Sequence, residues 1–312
     1  MFELFLLLIG LLGLWLGTEI IIKSALTIAN YYQLSQVFIG LTILAVGTDL
    51  PEMVISINGS IQQLEGVYTS GVIFGNALGS CLSQLGLVLG VAGWFGYLSL
   101  TKSEIKQDGS VLIGSVVLLF LTAMDGVVSR TEGVILMLAY LIYYFSLLRR
   151  EKVNAKIRKS VNGAIGYSLL LLLGGIVIVI VTSGLVVDNA LALAERWQVK
   201  QSLVAIIIIG PGSSLPELAL SVGAIMKKAA GLSVGNLIGS NIFDALMPVG
   251  IGAAISPLVV NQKLVYVEVS ILFVLSFLVL LFFMCRKGLQ KKESAALVAF
   301  YLLFIMYKLM GQ

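Results

Sequence analysis

Two short segments, Gly47-Thr48-Asp49-Leu50-Pro51-Glu52 and Gly212-Ser213-Ser214-Leu215-Pro216-Glu217, each combine hydroxyls, a carboxylate and a helix-breaking Gly/Pro pair. The second begins 165 residues after the first, and both sit inside apolar stretches of membrane-crossing length. In hydrocarbon a lone carboxylate and an interrupted backbone are costly, because nothing replaces the water they lose. Proline lacks an N–H and clashes with the carbonyl of the preceding turn, so Pro51 and Pro216 release backbone oxygens, while Gly47 and Gly212 tolerate the unusual angles that follow. Those oxygens, the hydroxyls of Thr48, Ser213 and Ser214 and the carboxylates of Glu52 and Glu217 make the all-oxygen shell that hard cations such as Ca²⁺ or Na⁺ take. One proline alone reads as an ordinary kink. Two matched Pro-Glu pairs point instead to a cation site built twice.

A second motif also recurs. Gly75-Asn76-Ala77-Leu78-Gly79-Ser80 matches Gly235-Asn236-Leu237-Ile238-Gly239-Ser240 at an offset of 160, the loop ahead of it being five residues shorter in the second half. Asn76 and Asn236 suit helix-to-helix hydrogen bonding as well as ion contact, and Ser80 and Ser240 stay equally open. The glycines have the small-xxx-small spacing that lets helix backbones approach, which makes them scaffold. One turn further on, the halves differ, with Gln84 in the first and Asp244 in the second. Asp49, matched to Ser214, either caps the half-helix that opens near Pro51 or joins the site. Four ionised carboxylates close together repel, so without at least two cation charges one of them takes up a proton.

Composition narrows the chemistry. Of 312 residues, 59% are hydrophobic and 12% charged, and the mean hydropathy is +1.04, so the chain is an integral membrane protein. The first 22 residues lack a basic n-region and read as a spanning helix, not a cleaved signal. Histidine is absent, which excludes imidazole-based zinc sites, His-dependent triads and histidine proton relays. The two cysteines, Cys81 and Cys285, have no metal-ligand spacing and are expected as free thiols. No enzymatic activity, cofactor or nucleic-acid partner is expected.

At roughly 20 apolar residues per span, ten helices are expected near 2–28, 36–63, 68–97, 109–125, 130–148, 163–194, 200–226, 231–255, 264–285 and 294–311. Segments 45–52, 75–84, 210–217 and 235–244 are each expected to be broken helices at mid-membrane. The loop from Arg149 to Lys159 holds six Lys/Arg and one acid, which places it in the cytoplasm. Lys23, Lys102, Lys106, Lys227, Lys228, Arg286, Lys287, Lys291 and Lys292 then fall on the same side, and both termini face out. Three parts follow: a first five-helix repeat over 1–148, a basic loop over 149–162 and a second repeat over 163–312. Because five is odd, the second repeat enters from the opposite side, giving an all-α inverted-repeat architecture of transporter type. Glu19, Lys23 and Asp188, near the ends of long helices, suit snorkelling or a lateral ion pair as well as transport. Arg130 and Glu132 read as interfacial loop residues. Tyr31, Tyr32, Tyr143, Tyr144 and Trp197 read as an aromatic belt.

Together the two Gly-Thr/Ser-x-Leu-Pro-Glu motifs and the Gly-Asn-x-x-Gly-Ser motifs, the second continuing through Asn241-Ile242-Phe243-Asp244, resemble the two α-repeats of sodium/calcium exchangers. The resemblance is to the calcium/cation antiporter superfamily and covers essentially the whole chain. Prokaryotic exchangers are nearest in size. It implies that Thr48, Glu52, Ser213 and Glu217 bind the divalent cation and that Ser80, Gln84, Ser214, Ser240 and Asp244 line Na⁺ sites. Ala45 and Gly210 align with positions that give backbone oxygens. It further implies alternating access, with helices one and six sliding across the other eight. Asp49 stands where serine is usual, Gln84 where asparagine is usual, Ser213 where threonine is usual, and Pro211 adds a second proline.

The implied activity is secondary active exchange of Ca²⁺ for Na⁺. The alternative is exchange of Ca²⁺ or another cation for H⁺, with Asp49 accepting the proton. An intramembrane aspartyl hydrolase would need Asp49 and Asp244 as a close dyad sharing one proton. A passive channel suits inverted repeats with asymmetric acids less well than a carrier does. The expected partners are inorganic cations and the lipid bilayer, and a monomeric, multi-pass protein of the inner membrane is expected.

Overall fold

A computed structural model describes residues 2–151, 162–196, 214–286 and 288–310, and these are almost entirely helical. In chain order the helices are α1 (Phe2–Tyr32), α2 (Gln36–Thr48), α3 (Leu50–Leu64), α4 (Ser70–Leu82), α5 (Leu89–Phe95), α6 (Lys102–Ala123), α7 (Arg130–Arg150), α8 (Asn162–Arg196), α9 (Leu215–Met226), α10 (Ala230–Ile255), α11 (Ser270–Arg286) and α12 (Lys291–Met310). Among the described residues, seven helical stretches are long and apolar enough to cross a membrane, by length and composition. A two-residue antiparallel pairing of β1 (Val127–Val128) with β2 (Leu258–Val259) ties the loop after α6 to the loop after α10.

The molecule is organised around α10. Most of its residues are buried, and its small side chains let neighbouring backbones come very close. A Cβ on Gly235 would collide with the Val37 carbonyl oxygen, and one on Gly239 would stand 2.8 Å from Leu41 and Ala45 of α2. Gly133 of α7 and Gly250 of α10 meet in the same way. The packing role expected of the glycines is therefore realised at Gly235 and Gly239 but not at Gly75 and Gly79, where an added Cβ meets nothing within 4 Å among the described residues. Around this axis lies the larger apolar core, drawn from α4 to α7 and α10 to α12. A smaller core joins α1 to α8 through Leu14, Ile21, Leu172, Ile176 and Val179. The outward faces carry Phe5, Trp15, Leu170, Leu173, Phe277 and Leu303, all more than half exposed, as a lipid-facing surface should.

Several sequence expectations need correction. The segment 235–244 is not broken; it lies within the continuous α10. The segment 75–84 is not broken either, because α4 passes through a π-helical stretch, Ser83–Val88, into α5. Neither segment contains proline, and glycine at a tight helix crossing lowers helix propensity by only about 1 kcal/mol, which packing overrides. Helix α6 starts at Lys102, seven residues earlier than expected, because Thr101 and Glu104 form a capping box there. Arg130 and Glu132 are not loop residues; they open α7, where Glu132 completes a capping box with Ser129. Tyr143 is no belt residue: it is buried, and its hydroxyl donates to Asp108 at 3.3 Å. Trp197, Lys287 and most of the basic loop lie outside the described residues.

Candidate cation site

The chain between α2 and α3 is interrupted at one residue, Asp49, whose φ and ψ are −90° and 8°. Ser214, ahead of α9, has φ and ψ of −94° and 12°. In each case proline falls in the first helical turn, where its missing N–H is tolerated, and the carbonyl four residues earlier loses its donor. In the first half that carbonyl belongs to Gly47. A π-helical turn over Gly40–Leu44 lies immediately upstream of Ala45, and such turns commonly mark functional positions because they re-aim side chains and carbonyls. The expected break at 45–52 is therefore present; of the one expected at 210–217, only the helix start after Ser214 falls within the described residues. Glu52 and Glu217 each hold the third position of a helix, against their own backbone N–H, where an N-terminus favours an anion.

Asp49 does not cap α3. Its side chain makes no capping bond, it is fully buried, and neither carboxylate oxygen has a well-formed hydrogen bond among the described residues, although it faces the Ser240 hydroxyl. Glu52 has one such unpartnered oxygen, Glu217 has two and Asp244 has one. The hydroxyls of Ser214 and Ser240 and the amide atoms of Asn236 are buried and unpartnered as well. Glu217 faces Thr48 and Asp49, and the four carboxylates are near enough to repel one another. Thr48 donates its hydroxyl to the Leu44 carbonyl at 3.1 Å, which leaves its oxygen lone pairs available. Among the described residues every buried charged side chain is acidic, so no lysine or arginine neutralises this cluster. Orphaned buried anions of this kind need cations or protons. No three acidic or thiol groups among the described residues converge closely enough to hold an ion alone, so hydroxyl, amide and carbonyl oxygens must complete any shell.

Ser80, Gln84 and Asp244 lie on the far side of the same cluster. Gln84 Nε2 donates to Ser80 Oγ at 3.0 Å and to Asp244 Oδ2 at 3.1 Å. Asn241 Nδ2 donates to Gln84 Oε1 at 2.9 Å and to the Leu237 carbonyl at 2.8 Å. Asn241 carried no role in the sequence reading. Its position in the continuation of the second Gly-Asn motif was the available signal. Asn76, on α4 with Ser80, is half-buried. Ser213 and Gly210 lie outside the described residues, as do Gly212 and Pro211.

Two other acids are excluded by their partners. Glu19 pairs with Lys23 at 3.1 Å and with Lys227 at 2.5 Å, so the lateral ion pair is the realised option. Asp108, which the expected boundaries left in a loop, is buried on α6 against Arg150 at 3.3 Å and the Tyr143 hydroxyl. Asp188 sits on α8. Both cysteines are free thiols, Cys81 buried and Cys285 exposed.

The chain resembles known proteins over nearly its full length. Sodium/calcium exchanger MaX1 of Methanosarcina acetivorans is 27% identical, over 96% of each chain. Inner membrane protein YrbG of Escherichia coli is 27% identical over 81% of this chain and 79% of its own. The structure of the sodium-calcium exchanger NCX_Mj soaked with Na⁺ and Ca²⁺ superposes with a TM-score of 0.85 at 27% identity, over 98% of each chain. With Sr²⁺ in place of Ca²⁺ the TM-score is 0.86, at 28% identity over 97% of each. The family model for the sodium/calcium exchanger protein matches residues 2–149 and 167–310, so this chain belongs to the sodium/calcium exchanger family.

Proposed function

We propose that this protein is a secondary active antiporter that exchanges Ca²⁺ for Na⁺ by alternating access. One observation carries the reading: six buried carboxylate oxygens of Asp49, Glu52, Glu217 and Asp244 converge from both halves with no well-formed hydrogen bond and no buried basic side chain among the described residues. Thr48, Glu52, Ser213 and Glu217 bind Ca²⁺. Ser80, Ser214, Ser240 and Asp244, with backbone oxygens of Ala45 and Gly210, serve the coupling ion, and Gln84, Asn76 and Asn236 border them. The helices form ten spans in two inverted halves, 1–148 and 163–312, with the basic loop 149–162 in the cytoplasm and both termini outside. The near-identical backbone angles at Asp49 and Ser214 support that symmetry. The membrane is an inner membrane and the protein acts as a monomer.

Alternating access is favoured by how α1 and α8 pack. Gly13 of α1 meets Thr182 of α8, and Gly17 meets Gly175 and Val179, so these long helices lie against each other along their length. Their shared core is a cluster distinct from the larger one, and it meets the rest of the molecule through Ile39 and Leu44 of α2, Leu220 and Ala224 of α9 and Leu232 of α10. The two helices can shift as a pair without opening the larger core. Proton exchange remains a second reading because Asp49 is uncapped and unpartnered. Ca²⁺ uptake by proteoliposomes under an imposed Na⁺ gradient, compared with an imposed pH gradient, separates the two. Uptake driven by neither would overturn both.

A further inference from the structure

The polar atoms of the site fall into two groups. Around Asp49, Glu52, Glu217, Ser214 and Ser240, oxygens are left without donors. The Gln84 amide itself is fully engaged, both N–H groups going to Ser80 Oγ and Asp244 Oδ2 and the carbonyl oxygen accepting from Asn241, while Asp244 Oδ1 and Asn241 Oδ1 beside it stay without a donor among the described residues. An NH₂ group with both hydrogens directed at two oxygens sits where a small monovalent cation shared by those oxygens would sit. It carries partial positive charge on the side facing them.

The direction of this amide is fixed by the backbone. The Leu237 carbonyl can only accept, so the group that Asn241 turns towards it must be its NH₂. The same NH₂ then meets Gln84, which must answer with its oxygen, and Gln84 is left with its nitrogen facing Ser80 and Asp244. The chain of assignments has no free choice.

We infer that the Gln84 amide, oriented by Asn241, occupies a monovalent-cation position between Ser80 and Asp244, so that this exchanger moves fewer coupling ions per Ca²⁺ than its oxygens could hold. Gln84 is thus a stoichiometry-determining residue and Asn241 a positioning residue. A shorter side chain at 84 cannot span both acceptors. Loss of the Asn241 amide frees Gln84 to turn its oxygen towards them, which converts a donor into a ligand.

The inference rests on the exchange reading, and the experiment keeps the two apart. In proteoliposomes with the membrane potential clamped at zero, the Ca²⁺ gradient at which net Ca²⁺ flux vanishes under a set Na⁺ gradient gives the number of Na⁺ per Ca²⁺, electroneutral exchange included. No Na⁺-driven flux in the unaltered protein would sink the exchange reading and this inference with it. Given such flux, Gln84→Asn and Asn241→Cys, the latter introducing the residue found at the corresponding position 81, should each raise the ratio by one Na⁺ and steepen the Na⁺ dependence. Reduced flux at an unchanged null-flux Ca²⁺ gradient would show a merely structural role and overturn the inference alone. Should either variant fail to fold, crystals of the unaltered protein soaked in Tl⁺ decide the matter. Anomalous peaks at the other site oxygens, with none bridging Ser80 and Asp244, are expected, and a peak bridging those two would overturn it.

Discussion

Asp49 and Ser214, at corresponding positions of the two sequence repeats, share a backbone conformation to within a few degrees, and neither uses its side chain to cap the helix that follows. The break is set by the proline two residues on and owes nothing to the residue at the break. That leaves the side chains at 49 and 214 free to differ chemically. At 214 there is a hydroxyl; at 49 there is a buried carboxylate that faces the Ser240 hydroxyl and has no well-formed hydrogen bond among the described residues.

Asp49→Ser should therefore preserve the fold and change the ion chemistry. In the unaltered protein, protons compete with cations for the buried carboxylates, so Ca²⁺ flux should fall as pH drops. Removing one of the four acids should flatten that dependence and favour Na⁺ coupling. Flux against pH under fixed Na⁺ and Ca²⁺ gradients tests this. Superimposable curves for the two proteins would assign Asp49 no part in the site.

Glu52→Gln and Glu217→Gln keep side-chain volume while replacing an anionic oxygen of a hard-cation shell by an amide. Each should weaken Ca²⁺ binding at least tenfold, about 1.4 kcal/mol, and abolish measurable exchange with the elution profile of the folded protein unchanged. Isothermal titration gives the affinity directly. Native-like Ca²⁺ binding in both variants would remove the two glutamates from the site.

The paired motifs were legible in sequence because intramembrane Pro-Glu is too costly to recur without cause, and repetition supplied the comparison that one segment lacks. Among the described residues helix positions followed from hydropathy to within a few residues, except where a polar capping box extended α6; the first part of the helix expected over 200–226 lies outside them. Glycine-rich segments were misread as breaks because sequence shows a glycine's freedom but not the neighbour it admits. Gly239, with Leu41 and Ala45 close against it, sits in regular helix. The partners Asn241–Gln84 and Glu19–Lys227 were invisible for a different reason: they join residues far apart in the chain, whose meeting depends on helix rotation. The π-helical turns at Gly40–Leu44 and Ser83–Val88 have no periodic signature at all.

Gly239→Ala tests whether that packing holds the site. The added methyl would stand 2.8 Å from the Leu41 backbone and from Ala45 Cβ, and backbone cannot yield cheaply. A loss of about 1–3 kcal/mol is expected, along with reduced Ca²⁺ affinity because Ala45 is displaced. Gly114→Ala is the control, since a Cβ there meets nothing among the described residues and, inside α6, should hold or slightly raise thermal stability in detergent. Equal thermal midpoints for the Gly239 and Gly114 variants would show that α2 and α10 are not held by this contact.

The Glu19–Lys227 ion pair links α1 to the end of α9, and so joins the helix pair expected to slide to a helix expected to stay. With both side chains roughly a quarter to a third exposed, the pair is worth at most about 1 kcal/mol. That is still enough to change a two-state ratio about fivefold. If α1 moves during transport, the pair forms in one arrangement and breaks in the other, so Lys227→Met should shift the population away from the arrangement described here without altering intrinsic Ca²⁺ affinity. Distances between spin labels on exposed positions of α1 and α9 would report the shift, and high salt should reproduce part of it by screening. An unchanged distance distribution in Lys227→Met, at low and high salt alike, would mean that Glu19 and Lys227 move together and that the sliding boundary lies elsewhere.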